Sequence, residues 1–196
     1  MTLTDVGVRE FYDKYIDMDS AARNSKVQII VRKKTPKEKV SGTNGRYYIG
    51  YVYDGEPMVD FHFPYRTDAA LFLCCLIKRK GKDGDKDFDF AAMEDLFIGA
   101  FKYLYGDVHP AATSAFGQLF DTVGESKIIA QGNLKDHLNN IRKEIDAHLL
   151  RKENTAVFHV RKGDHLHILK ERITLPDNIE EAVLRLASAD AEIPKA

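Results

Sequence analysis

A chain of 196 residues that is 44% hydrophobic and 30% charged is long enough for one large domain or two small ones and rich enough in apolar residues to build a core, which excludes a largely disordered protein. The 29 basic and 30 acidic residues nearly cancel, so indiscriminate binding to polyanions is not expected from the total, and the charge has to be read locally. The longest apolar run, from Ala69 to Ile77, is about half of what a bilayer span needs, and Asp5 and Arg9 interrupt the N-terminus before any apolar core. No membrane association is expected. The two cysteines, Cys74 and Cys75, are adjacent and so poorly placed to pair with each other, which points to a reducing, cytoplasmic setting.

Charge is segregated along the chain. Residues 26–46 carry seven cations, Lys26, Arg32, Lys33, Lys34, Lys37, Lys39 and Arg46, against the single acid Glu38. Residues 83–107 carry seven acids against Lys86 and Lys102. Residues 134–172 hold nine cations, six acids and five of the seven histidines, His137, His148, His159, His165 and His167.

In chain order, Val8, Phe11, Tyr12, Tyr15 and Met18 recur at helical spacing and predict a short amphipathic helix. Residues 27–31 read as a strand, followed by a basic loop through Pro36 to Gly45. Residues 47–53 and 58–63 read as two strands joined by a tight turn at Asp54-Gly55, giving an antiparallel sheet of about three strands. A buried helix is expected over 68–80, with Thr67 as cap, Lys78, Arg79 and Lys80 at its negative end and Gly81 as its stop. A second helix capped by Asp89 presents Met93, Leu96, Phe97, Phe101 and Leu104 as one stripe and ends at Gly106. A third is predicted over 111–123, with Phe116, Leu119, Phe120 and Val123 inward.

The following helix, 133–150, is amphipathic: Leu134, Leu138, Ile141, Ile145 and Leu149 form the inner stripe, behind an N-cap at Asn133. Its outer side carries Lys135, His137, Asn139, Asn140, Arg142 and Lys143, donors suited to base edges and phosphates, diluted by Asp136, Glu144 and Asp146. Residues 156–161 and 165–173 then read as a hairpin with a basic tip at Lys162-Gly163-Asp164. Pro176 and Asp177 open a last helix over 179–186, before a loose tail. The expected class is α+β: a small N-terminal antiparallel sheet, then a helical core with a helix-turn-helix and a C-terminal hairpin. The expected divisions are 1–46, 47–176 and 177–196.

This order of elements resembles the winged helix-turn-helix effector domain of the OmpR/PhoB response-regulator type, over roughly residues 47–175. The resemblance rests on element order and pattern. It implies a recognition helix over 133–150 in the major groove and a wing over 157–169 on the backbone. Site residues on this reading are Lys135 at the helix start, Asn139, Asn140, Arg142 and Lys143 facing the groove, and Arg161 and Lys162 on the wing. Two departures stand out. Asp164 and His165 follow the wing-tip Gly163 where the family favours Gly-Tyr-Arg, and the connection from Asp107 to Gly132 is longer than the family's. The function implied is sequence-specific binding of double-stranded DNA, as a transcriptional regulator.

Other readings compete with this one. A winged-helix scaffold also serves as a docking surface for a protein partner, and a homodimer is compatible with either use. Tyr47, Tyr51 and Tyr53 share one strand face and would stack single-stranded bases if exposed, although sheet packing is the commoner use of such rings. Asp83, Asp85, Asp87, Asp89 and Glu94 have the spacing of a calcium loop, but Phe88 stands where its sharp bend wants glycine. His159, His165 and His167 lack further ligands that would complete a metal site. No phosphate-cradling glycine loop, nucleophile elbow, HExxH or CxxC pattern is present, so no enzyme activity and no cofactor are expected.

Overall fold

Alternation of Val27, Ile29 and Val31 with Gln28, Ile30 and Arg32 builds β1 (Val27–Lys33), with the first set buried in the core. The computed structural model describes residues 26–38, 43–81, 93–106, 109–123, 126–129, 133–153 and 170–189. β1 pairs antiparallel with β2 (Tyr47–Tyr53) along its whole length, from Val27 opposite Tyr53 to Lys33 opposite Tyr47. Tyr47, Ile49 and Tyr51 point to the same buried face. β3 is only Val59–Asp60, shorter than the strand expected over 58–63, and it pairs with β2 at Gly50 and Tyr51.

The sheet departs from the expected three antiparallel strands. Among the described residues it has four, in the order β3-β2-β1-β6, and β6 (Ile173–Thr174) runs parallel to β1 with Ile173 opposite Ile29. Residues 165–173 were expected to form one continuous wing strand. Among the described part of that range, Lys170–Arg172 is a single 3-10 turn, and extended pairing begins only at Ile173, whose buried side chain joins the face formed by Ile29. β1 thus lies inside the sheet, and its hydrogen bonds cross the division drawn at residue 46.

Helix α1 (Arg66–Lys80) is buried from Thr67 through Ile77. Its cap differs from expectation: Tyr65 precedes the helix, and the Tyr65 amide donates to Asp68 Oδ2 at 3.2 Å, while Thr67 lies within the first turn. Lys78, Arg79 and Lys80 do occupy the last turn, where the helix dipole favours them. α2 (Glu94–Tyr105) buries Leu96, Phe97, Phe101 and Leu104, and Gly106 closes it in the left-handed conformation, its amide donating to Lys102 O at 2.7 Å.

α3 (His109–Gly117) is shorter than expected, because Phe120–Val123 (β4) leaves the helical path and pairs antiparallel with Ser126–Ile129 (β5). Aromatic and β-branched residues in both segments, two residues apart, suit a hairpin as well as a helical stripe. α4 (Asn133–Glu153) and α5 (Ile179–Leu186) fall where the sequence places them. α5 packs on α2 so closely that a Cβ at Gly99 would lie 2.0 Å from the Val183 carbonyl oxygen, so only glycine permits this approach. Lys102 is buried at this junction, donating from Nζ to Ser188 O at 2.9 Å, and burial lowers its pKa. The predicted helix around residues 8–18 lies outside the described residues.

Candidate nucleic-acid interface

Leu134, Leu138, Ile141 and Ile145 recur at the spacing of one helical face, and all four are buried, so α4 is held to the body along its inner stripe. At its start Asn133 Nδ2 donates to the carbonyl of Gln118 at 2.9 Å. A second flank of the same helix is fastened by polar contacts. His137 Nδ1 lies 2.5 Å from Oδ1 of Asp68, which has no exposed surface. Asn140 Nδ2 reaches Oδ2 of the same carboxylate at 3.4 Å. Glu144 Oε1 accepts from the His62 amide at 2.6 Å and lies 2.9 Å from His148 Nε2. The His148 ring packs against Tyr51 and Phe61 at the sheet edge.

With two flanks engaged, the remaining face is open. Lys135, Arg142 and Lys143 are exposed on it and form no ion pair among the described residues, and Asn139 is half-buried beside them. Asp136 shares the face and reduces its charge. His137 and Asn140 depart from the expected outward set, since the ring of the one and the amide of the other turn toward Asp68. Arg161 and Lys162, with the tip of the expected wing, lie outside the described residues, as do His159, His165, His167 and Asp83 to Asp89 of the acidic loop.

A second cationic region lies at the end of β1. The Arg32 guanidinium grips Glu38 with both terminal nitrogens, at 3.1 and 3.0 Å, and lies 4.3 Å from the Tyr48 ring centroid. Lys34 Nζ approaches the same ring at 4.9 Å. Hydrogen bonds from Arg32 and from the Thr35 amide hold the Glu38 carboxyl down at about 2. Lys33 and Lys37 are exposed.

Of the tyrosines on the sheet, Tyr47 and Tyr51 are core residues, Tyr47 stacked on Tyr103 at 4.6 Å, and burial raises the pKa of both. They pack the sheet against the helices, and their rings do not form an open platform for bases. Cys74 and Cys75 are free, buried thiols. Burial raises both, Cys75 to about 12, so neither has the accessible, electropositive setting of a reactive thiolate. Among the described residues no group of three or more His, Cys, Asp or Glu could hold a metal ion, and no helix is long and apolar enough to cross a membrane.

Sequence reasoning missed Asp68, Glu144 and His62 as the groups that seat α4. Asp68 alone carried a signal, as the one acid opening an otherwise apolar helix. Such an acid ordinarily serves the helix dipole in solvent, whereas here it is buried and serves two helices.

The elements and their pairing define an α+β protein with a four-stranded mixed sheet backed by helices. No protein-family model matches the chain, and comparison with curated proteins and with solved structures finds no match.

Proposed function

We propose that this protein binds double-stranded DNA in a sequence-dependent way, as a transcriptional regulator, with α4 entering the major groove. The observation that carries this reading is the exposure of Lys135, Arg142 and Lys143 on the one face of α4 that neither the apolar stripe nor the His137, Asn140 and Glu144 contacts engage. A helix held on two sides presents such cations from a backbone that is already ordered, so binding costs only side-chain rotamer entropy, and its diameter suits a groove about 12 Å wide. Arg142 has the forked geometry that reads guanine, Asn139 supports it with an amide, and Lys135 and Lys143 act as point charges toward phosphates. Arg161 and Lys162 would add backbone contacts from the hairpin that the sequence predicts.

The test is duplex binding measured as a function of salt. Binding should weaken steeply as salt rises, and Lys143→Ala should lower the slope of log K against log salt by about one without altering sequence preference. Arg142→Ala should instead relax the preference at one position, by about 1–3 kcal/mol. Wild-type protein that binds no duplex at low salt would refute the reading.

A further inference from the structure

One hydroxyl of the chain stands in a setting that no other shares. Thr35 is preceded by Arg32, Lys33 and Lys34 and followed by Pro36 and Lys37. No other serine or threonine in the sequence has three cations immediately before it, and no other has a proline immediately after it. Charge on one side and a proline on the other are features by which protein kinases choose among hydroxyls, the cations pairing with acidic residues of the kinase groove. Such a run is usable only where the fold presents it.

This fold does. Thr35 lies just beyond the end of β1, and Thr35, Pro36 and Lys37 are all exposed. They form a β-turn in which the Glu38 amide donates to the Thr35 carbonyl at 3.0 Å, with Pro36 at the position whose φ its ring already fixes. Thr113 and Ser114 are exposed as well, but they lie within the turns of α3.

The turn also holds one anion where a second would arrive. Glu38 Oε2 accepts from the Thr35 hydroxyl at 3.0 Å and from the Thr35 amide at 2.6 Å, and the two carboxylate oxygens accept from Arg32 at 3.1 and 3.0 Å. Tyr48 supports that guanidinium, its ring centroid 4.3 Å away. A phosphate on Thr35 Oγ1 would carry nearly two negative charges and lie against the Glu38 carboxylate. The two anions repel and compete for one guanidinium, and the phosphate has the greater charge and three acceptor oxygens.

We infer that Thr35 is a phosphorylation site, modified by a protein kinase that uses a nucleoside triphosphate, and that its phosphate displaces Glu38 from Arg32. The γ-phosphoryl group passes to Thr35 Oγ1, the nucleoside diphosphate leaves with the electron pair of the broken P–O bond, and the hydroxyl proton goes to the kinase base. The modification lowers the positive surplus of residues 26–46 by about two charges. It makes no use of α4 and stands independently of the reading of that helix.

The experiment incubates the native protein, Thr35→Ala and Thr35→Ser with ATP and, separately, with a kinase that requires proline after the hydroxyl and with one that requires cations before it. Circular dichroism confirms that each variant is folded. One of the two kinases should place a single phosphate on the wild type, located at Thr35 by fragment mass spectrometry, with labelling lost in Thr35→Ala and restored in Thr35→Ser. In the phosphorylated protein the midpoint of the Glu38 carboxyl, followed by NMR, should rise from about 2 toward its ordinary 4.5. Labelling by neither kinase, or equal labelling of wild type and Thr35→Ala, overturns the site. A Glu38 midpoint still near 2 in the phosphorylated protein overturns the exchange of partners at Arg32.

Discussion

Nδ1 of His137 lies 2.5 Å from Oδ1 of Asp68, joining two helices through residues 69 positions apart, with the carboxylate fully buried. The remaining partners of that carboxylate are the Tyr65 amide and the Asn140 side chain. His137→Ala therefore leaves the buried Asp68 side chain short of one partner and should cost about 1–3 kcal/mol in urea unfolding. Asp68→Asn keeps one acceptor oxygen: with it on the His137 side the new amide NH2 faces the Tyr65 and Asn140 donors, and turned over it no longer offers an oxygen to the His137 ring, so this variant should also cost about 1–3 kcal/mol. A loss below about 0.5 kcal/mol in either variant would contradict a role for this contact in seating α4.

The Glu38 carboxyl, held at about 2 against an ordinary 4.5, makes the β1 end sensitive to acid. A depressed carboxylate contributes stability that is fully present above the unfolded value and is lost as pH falls through the folded one. The difference in stability between wild type and Glu38→Gln should thus be constant above about pH 5 and shrink between pH 4.5 and 2. A carboxyl titration followed by NMR should place the Glu38 midpoint near the lower limit. A midpoint above 4 would show that the Arg32 clasp does not persist in solution.

Cys74 and Cys75 are closed off by burial, with the Cys75 thiol pushed up to about 12. Labelling by a thiol reagent at neutral pH should proceed no faster than unfolding of α1, for both residues alike, and should become immediate in denaturant. Rapid modification of either thiol in the native protein would contradict the placement of α1 at the centre of the core.

Gly99 sits where α5 crosses α2, with the Val183 carbonyl 2.0 Å from the position of an added Cβ. Gly99→Ala forces backbone apart and should cost about 1–3 kcal/mol, a fall in Tm of roughly 2–12 °C for a chain of this size. Gly117, with nothing within 4 Å of an added Cβ, is the control, and Gly117→Ala should not lower Tm.

Much of the fold is legible in local pattern. The alternation of Tyr47, Ile49 and Tyr51 and the spacing of Leu134, Leu138, Ile141 and Ile145 each select one face, and those faces are buried. Phe116, Leu119, Phe120 and Val123 misled because their spacing fits a helix while Phe120 to Val123 suits a strand equally well. β6 was illegible because two residues, Ile173 and Thr174, carry no periodicity, and their partner β1 lies far away in sequence. For the candidate site, the exposed positions Lys135, Arg142 and Lys143 follow from helical phase alone. Asn140 does not, because its orientation depends on Asp68, a residue that only tertiary packing brings near.

The outward face of α4 carries the proposed DNA binding, and the most direct measurement is selection of genomic duplex fragments at low salt by the wild-type protein beside Lys135→Ala/Arg142→Ala/Lys143→Ala. The wild type should enrich a defined sequence and the folded triple variant none, with its residual affinity reduced by about tenfold or more. Enrichment of the same sequence by both proteins, or by neither, would contradict that role of α4.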